Sequence, residues 1–342
     1  MAERFSPSHI RALRAEDPRA RARDFAEARG LTEADLVAAH VGHGATAIAA
    51  EPDLLMPLIG DLGDVLALTR NDHCVHEQRG TYSDFHGGGH AAMVLGAEID
   101  LRIFPAHWRH AFALDEGDRR SLQIFDAQGA AVHKVHLTPE SDVAAFGRLV
   151  AALALPEQRE DLRLSPRLPV EPAKADPARA PQLRQEWEAM TDTHQFLKLT
   201  RKLKMNRLGA YRIVGAPQAR LLAPEAVTRG LEAAAAQAVP LMIFVGNPGC
   251  IQIHGGPIER IVPMGPWINV MDPRFNLHLR ADRIAEVWAV AKPTQRGMAI
   301  SVEAFDAAGG LILQIFGQRT EAGLDSWNGL VAGLPALQAV PA

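Results

Sequence analysis

The chain repeats itself, and any fold it adopts must accommodate that repeat. At an offset of 176 residues, Leu68-Thr-Arg-Asn-Asp-His-Cys74-Val75 lies over Phe244-Val-Gly-Asn-Pro-Gly-Cys250-Ile251. Asn71 then meets Asn247, Cys74 meets Cys250 and Gly80 meets Gly256. The same offset lays Ile99-Asp-Leu-Arg102-Ile over Phe275-Asn-Leu-His278-Leu, and Phe112-Ala-Leu over Trp288-Ala-Val. A small insertion moves the offset to 180, where Phe125-Asp-Ala-Gln-Gly129 meets Phe305-Asp-Ala-Ala-Gly309. Three blocks in one order are not coincidence, so the sequence reads as two copies of one structural unit.

Between the copies runs Pro156 to Pro181, with prolines at 156, 166, 169, 172, 177 and 181. Proline fixes φ and removes a donor, so this stretch reads as an extended linker. The expected division is an N-terminal repeat over 1–155, a linker over 156–182 and a C-terminal repeat over 183–342. Helical patterning comes first in each copy, over Asp24–His40 and Trp187–Leu203, with an Ala-rich helix over Pro224–Gln237. Strand-like runs follow: Val65–Thr69, Ala91–Leu95, Ile99–Phe104, Ala111–Leu114, Ser121–Phe125 and Val132–Leu137. In copy two they are Leu241–Val245, Gln252–His254, Trp267–Val270, Phe275–Leu279, Glu286–Val290, Met298–Phe305 and Leu311–Phe316. Asp126-Ala-Gln-Gly129 and Asp306-Ala-Ala-Gly-Gly310 read as hairpin turns. Helices followed by a run of antiparallel strands predict an α+β fold.

Composition narrows the function. The 342 residues are 47% hydrophobic and 22% charged, which excludes disorder and fibrous repeats. The net charge of −4 gives no basic footprint, so general nucleic-acid binding is not expected. The most apolar stretch, Leu231–Val245, is interrupted by Glu232, Gln237 and Pro240 and is too short to cross a bilayer. The N-terminus is charged and lacks an apolar signal core. Two cysteines make no disulfide framework and fit a reducing cytoplasm.

P-loop, Rossmann, C-x-x-C and G-x-S-x-G patterns are absent, and His86-Gly-Gly-Gly-His90 reads as a turn. His73, Cys74, His76 and Glu77 invite a zinc reading, but strand alternation splits them between faces and nothing nearby completes a tetrahedron. Thr191-Asp-Thr-His-Gln-Phe196 opens a helix, with Thr191 or Asp192 as N-cap and His194 in the first turn. On helix patterning alone His194 is an exposed cap-region residue or a ligand. Lys198, Arg201, Lys202, Lys204 and Arg207 read as a solvated basic face.

Longer blocks carry a resemblance. They are Met190–Phe196, Phe244–Ile253, Pro263-Met-Gly-Pro-Trp-Ile-Asn269, Phe275–Leu279, Lys292-Pro-Thr294 and Phe316-Gly-Gln-Arg-Thr-Glu321. Copy one adds Val75–Tyr82, Glu98–Phe104, His107-Trp108 and Phe125–Lys134. Together they resemble the bacterial cytoplasmic haem-utilisation family of the HemS/HmuS/ChuS type, over nearly the whole chain outside the linker. The resemblance implies two similar α+β halves, each with a large, mostly antiparallel sheet, and one main haem site in the second half. It implies His194 as proximal ligand to the haem iron and Arg102 as distal residue, the pair that would carry any catalysis. Phe104 falls at an apolar distal position. Arg207, Lys292 and Gln314 match positions lining the cleft near the propionates. Phe316 stands where the family often has Tyr, so a hydroxyl is missing there. His73 is a secondary ligand candidate. The implied cofactor is haem b, with an external electron donor if the protein degrades it. The implied role is iron acquisition, by oxidative opening of the haem ring or by carrying intact haem from an inner-membrane importer.

Overall fold

The computed structural model describes residues 5–318 and 320–337. Contacts divide the chain into two units. Unit 1 is residues 1–70, 76–168 and 246–252; unit 2 is residues 71–75, 169–245 and 253–342. Each unit thus includes a short turn from the other half of the sequence.

Unit 1 opens with α1 (Pro7–Glu16), α2 (Ala22–Glu27) and α3 (Glu33–Ala38). The expected single helix over Asp24–His40 is two, because the chain passes through Gly30 at φ +65° and restarts at a capping box between Thr32 and Asp35. Strand β1 (Ala45–Ile48) and α4 (Pro52–Gly60) precede β2 (Val65–Arg70), β3 (Cys74–Gly80), β4 (Phe85–His86), β5 (Ala92–Leu95), β6 (Asp100–Ile103), β7 (His110–Asp115), β8 (Arg120–Phe125) and β9 (Ala131–Leu137). Helix α5 (Val143–Leu153) follows, capped by the Asp142 carboxylate on the Ala145 N–H. The strands run β1-β7-β8-β9-β2-β3, and β4, β5 and β6 pair in that order as the end strands of a nine-stranded sheet. Alternation is strict in β2 and β3, where every second residue is buried. One sheet face packs Leu122, Ile124 and Val135 against Leu55 and Ile59 of α4 and Phe146 and Leu149 of α5. The other packs Phe112 and Phe125 against Ala34 and Val37 of α3.

Unit 2 repeats this plan. Its helices are α6 (Ala180–Glu188), α7 (Gln195–Lys202) and α8 (Arg207–Val214), then β10 (Ala219–Leu222) and α9 (Ala226–Ala236). The strands are β11 (Leu241–Gly246), β12 (Cys250–Gly256), β13 (Ile261–Met264), β14 (Trp267–Met271), β15 (Phe275–Arg280), β16 (Glu286–Thr294), β17 (Gly297–Phe305) and β18 (Leu311–Gly317), closed by α10 (Glu321–Ala332). Their order is β10-β16-β17-β18-β11-β12, and β13, β14 and β15 pair in that order as the end strands of a nine-stranded sheet. One face packs Leu241, Ile243 and Ile315 against α9 and Trp327 of α10. The other packs Trp288, Val290 and Phe305 against Trp187, Phe196 and Tyr211 of α6–α8. The helical patterning over Trp187–Leu203 resolves into α6 and α7, parted over 189–194 where Thr191 or Asp192 was expected as N-cap, and that break carries His194.

The two halves share an α+β plan down to their turns. Asn71 Oδ1 accepts the His73 and Cys74 N–H groups, each at 3.0 Å; Asn247 Oδ1 accepts those of Gly249 and Cys250, also at 3.0 Å. Asp126 and Asp306 close their hairpins in the same way, each accepting the N–H groups two and four residues on. The proline-rich stretch is irregular from 156 to 176 but tied down. In unit 1, Gln158 bonds both the N–H and the C=O of Ala47; in unit 2, Asn206 bonds Lys174 and Pro172.

Candidate functional site

The break before α7 places His194 at the N-cap rather than in the first turn. Its ring is 82% exposed. Asp192 bends back beneath it: Oδ1 accepts the His194 backbone N–H and lies 2.7 Å from its Nδ1. A carboxylate can only accept, so Nδ1 carries the proton, and Nε2 is the nitrogen left to serve as a ligand. A carboxylate behind a histidine is the arrangement that orients imidazole metal ligands and raises their basicity.

Two residues on, Phe196 is buried. Its ring lies 4.9 Å from Trp187 and 5.5 Å from Tyr211. Two cations face it: Lys292 Nζ is 4.9 Å and the Arg207 guanidinium 5.6 Å from its centroid. Arg207 begins α8, an unfavourable place for a cation against the helix dipole. Glu303 compensates.

Glu303 on β17 is fully buried and receives four donors. Lys292 Nζ and Ser301 Oγ donate to Oε1 at 3.0 and 2.8 Å; Arg207 Nη1 and Tyr211 Oη donate to Oε2, each at 2.9 Å. Tyr211 Oη also accepts from Lys292 at 3.0 Å and Arg207 at 3.2 Å. Burial alone would raise the Glu303 carboxyl; Lys292 and Arg207 outweigh it and hold it at about 2. Burial pushes the Lys292 ammonium down to about 8 against the pull of Glu303.

Gln314 and Phe316 continue the same sheet face. In the antiparallel register Gln314 opposes Glu303 and Phe244, while Phe316 opposes Ser301 and Met242. Phe244 and Phe316 meet edge-to-face at 5.3 Å. Both aromatic rings, with Gln314 and Met242, are half-buried, so this part of the face is apolar, aromatic and incompletely covered.

Unit 2 thus carries His194, Arg207, Lys292, Gln314 and Phe316; Arg207 and Lys292 meet at Glu303, and Gln314 and Phe316 lie on neighbouring β18. Arg207 leaves the basic face expected for it and turns inward. His73 is in the turn before β3 rather than on a strand, with Nε2 3.5 Å from Asp306 Oδ2. Arg102 and Phe104 belong to unit 1. Arg102 is on β6, opposite Met93, with its guanidinium on the Asp100 carboxylate and the Leu101 carbonyl. Phe104 follows β6, and its N–H donates to Gly249 O at 3.0 Å. Among the described residues no group of three or more His, Cys, Asp or Glu is placed to hold a metal ion. Burial pushes both thiols up, Cys250 to about 12.

Sequence reasoning missed Glu303 and Tyr211. The signal was present: a lone Glu between Val302 and Ala304 in an apolar strand needs a buried cation, and Tyr211 stands four residues from Arg207, on the same helix face.

The model of the haemin-degrading HemS/ChuX domain matches the chain twice, over residues 30–153 and 204–334. The chain belongs to that family. The hemin transport protein HmuS of Yersinia pestis is 40% identical over 318 residues, covering 90% of either chain. The structure of apo-PhuS, a heme-binding protein from Pseudomonas aeruginosa, superposes with a TM-score of 0.92 at 42% identity, covering 97% of this chain and 100% of that one. The heme-degrading enzyme ChuS of Escherichia coli O157:H7 superposes with a TM-score of 0.86 at 35% identity, covering 96% and 98%. No helix among the described residues is long and apolar enough to cross a membrane.

Proposed function

We propose that this chain binds haem in unit 2 through His194 and opens the ring oxidatively to release its iron. The observation that carries the reading is the Asp192–His194 pair, which puts a proton on Nδ1, leaves Nε2 to serve as a ligand and keeps the ring accessible. The donor set fits an iron porphyrin. Imidazole suits the iron, and the half-buried face of Phe244 and Phe316 suits a flat apolar macrocycle. Gln314 offers an amide to the propionate edge, and Arg207 and Lys292 complete the lining. The distal roles that the resemblance gives Arg102 and Phe104 belong to the same proposal, with His73 as a secondary ligand. Haem b is cargo and substrate here, taken from an inner-membrane importer in the cytoplasm. His194 would hold the iron from one side, with Arg102 assigned to the other, and the bound haem would supply the oxygen chemistry with electrons from an external donor. The relatives' descriptions support both fates: ChuS is described as a heme oxygenase and HmuS as a hemin transport protein.

The test is a visible-spectrum haemin titration of the parent and of His194→Ala, followed by reductant in air with catalase. Saturation at one haem per chain, altered in the variant, then bleaching with iron release, is the expected result. Tight binding without bleaching, and transfer to an apo-acceptor faster than spontaneous release, would assign the carrier role instead. Loss of saturable binding in the parent would end the haem reading.

A further inference from the structure

Of the break over 189–194 only Met190 is buried, so packing secures the start of the segment and hydrogen bonds must hold the part that carries His194. Those bonds collect on Thr191. Gln195, the first residue of α7, reaches back over one turn: its Oε1 accepts the Thr191 N–H at 2.8 Å, and its Nε2 donates to Thr191 Oγ1 at 3.2 Å. Its own N–H donates to Asp192 O at 3.1 Å. The Thr191 carbonyl accepts the Gln295 N–H at 3.0 Å, from the tip of the β16–β17 hairpin. A second bond ties the same hairpin to the other side of the break, from the Trp187 indole N–H to Ala291 O at 2.8 Å. The N–H, hydroxyl and carbonyl of Thr191 are thus all engaged, and the next residue is Asp192, whose carboxylate meets the His194 backbone and ring. In unit 1, β7 and β8 run six residues each against nine in β16 and β17, so the β7–β8 hairpin lacks this tip.

We propose that Gln195 is a positioning residue of the site, with the β16–β17 tip as its anchor: together they fix Thr191, and through it the Asp192 carboxylate that accepts from His194 Nδ1 and leaves Nε2 facing out. The inference deepens the reading of His194 as iron ligand and rests on it. An exposed Asp–His pair two residues apart is weakly held by itself, because water competes for both partners. Bonds that share a residue support one another. Once Thr191 is held on three sides, few orientations remain for Asp192, and its carboxylate is in place before a ligand arrives. Position 195 therefore needs a side chain that can serve both the N–H and the hydroxyl of Thr191. An amide does this with one acceptor and one donor. A carboxylate would also do it, because the hydroxyl can rotate to donate. An aliphatic side chain would not.

The test compares the full-length parent with Gln195→Leu, Gln195→Glu and Gln295→Pro, the last of which removes only the tip N–H at a turn position that proline tolerates. Without ligand, at a pH where the imidazole is neutral, nitrogen NMR reads which His194 nitrogen carries the proton, and amide exchange follows residues 190–196. The parent and Gln195→Glu should hold the proton on Nδ1. In Gln195→Leu and Gln295→Pro exchange should quicken over the segment, and the proton should be shared with Nε2. Haemin affinity should fall about tenfold in Gln195→Leu and should fall no further when Gln195→Leu is added to His194→Ala. An undisturbed proton position with unchanged exchange in Gln195→Leu would overturn the proposal. An equal loss of affinity with and without His194 would also overturn it, since Gln195 would then act on haem by another route. If the parent binds no haemin, the iron reading fails on its own, and the two ligand-free measurements still decide whether Gln195 sets the imidazole.

Discussion

Positions that correspond through the repeat carry Ser121, Gln123, Lys134 and His136 in unit 1 and Ser301, Glu303, Gln314 and Phe316 in unit 2. In unit 1 the buried anion is on a helix and a cation on the sheet: Glu33 of α3 accepts from Lys134 at 2.7 Å and from Arg70. In unit 2 the arrangement is reversed, with the anion Glu303 on the sheet and one of its cations, Arg207, on a helix. The consequences differ. The Glu33–Lys134 pair draws α3 onto β9 and leaves Lys134 8% exposed, so the sheet face of unit 1 is covered there. In unit 2 the corresponding Gln314 is neutral, and it remains half-buried beside Phe316. The β16–β17 hairpin also runs nine residues a strand against six in β7 and β8, and Lys292 sits in that extra length. Each half still clamps an aromatic ring between two cations, since Arg29 and Arg14 face Phe25 at 3.9 and 5.3 Å. One architecture thus supports a covered face and an open one, and the placement of a few charges separates them.

The largest effect should come from breaking the covered face. Glu33→Gln leaves Lys134 and Arg70 without their anion and should cost about 3–5 kcal/mol in urea denaturation, with the haemin spectrum unchanged. Acid should divide the halves next. His133 and His136 of unit 1 are pushed by burial to about 3 and about 4, as is His254 of unit 2 to about 4. Their folded values lie below the unfolded 6.5, so the unfolded chain binds protons first and stability falls as pH drops from 6.5 toward these values. Segment-resolved amide exchange should show unit 1 loosening before unit 2. Below pH 4.5 both halves should weaken together, because Glu33 and Glu303, each held at about 2, lose their ion-pair contribution as pH falls through that window.

Two glycines sharpen the contrast at smaller scale. A Cβ at Gly209 of α8 would fall on the Lys174 backbone, so Gly209→Ala should lower the melting temperature. A Cβ at Gly147 of α5 meets nothing within 4 Å, so Gly147→Ala should stabilise by about 0.5–1 kcal/mol. The smallest effect concerns the open face: Phe316→Tyr should tighten haemin by about 0.5–1.5 kcal/mol through one added hydrogen bond, read in the same titration.

Much of the strand layout was legible because alternation and the repeat reinforce each other, as in Val65–Arg70 and Leu241–Gly246. Short pieces escaped: β4 has two residues and β10 four, too few for a period to register. The helix break at Gly30 escaped because apolar spacing continues across it, whereas the cap signals at Thr191 and Asp192 marked the start of α7 to within a few residues. Helix patterning left His194 as an exposed cap-region residue or a ligand, with Thr191 or Asp192 as N-cap, and the family resemblance singled it out. Neither could reveal that Asp192 turns onto the imidazole, nor that Glu303 gathers cations 11 and 96 residues away, since such pairings exist only once the strands are in register.

The turns that cross the repeat also affect the order of folding during synthesis. Asn247 donates to the carbonyls of Arg70 and Val132 at 2.9 and 2.8 Å, and Gly249 O accepts the Trp108 indole N–H at 2.9 Å. Unit 1 therefore lacks a turn until residue 252 has left the ribosome, long after its last helix. The first half of this protein gains that turn only with the second, and a fragment ending in the proline-rich stretch would lack it.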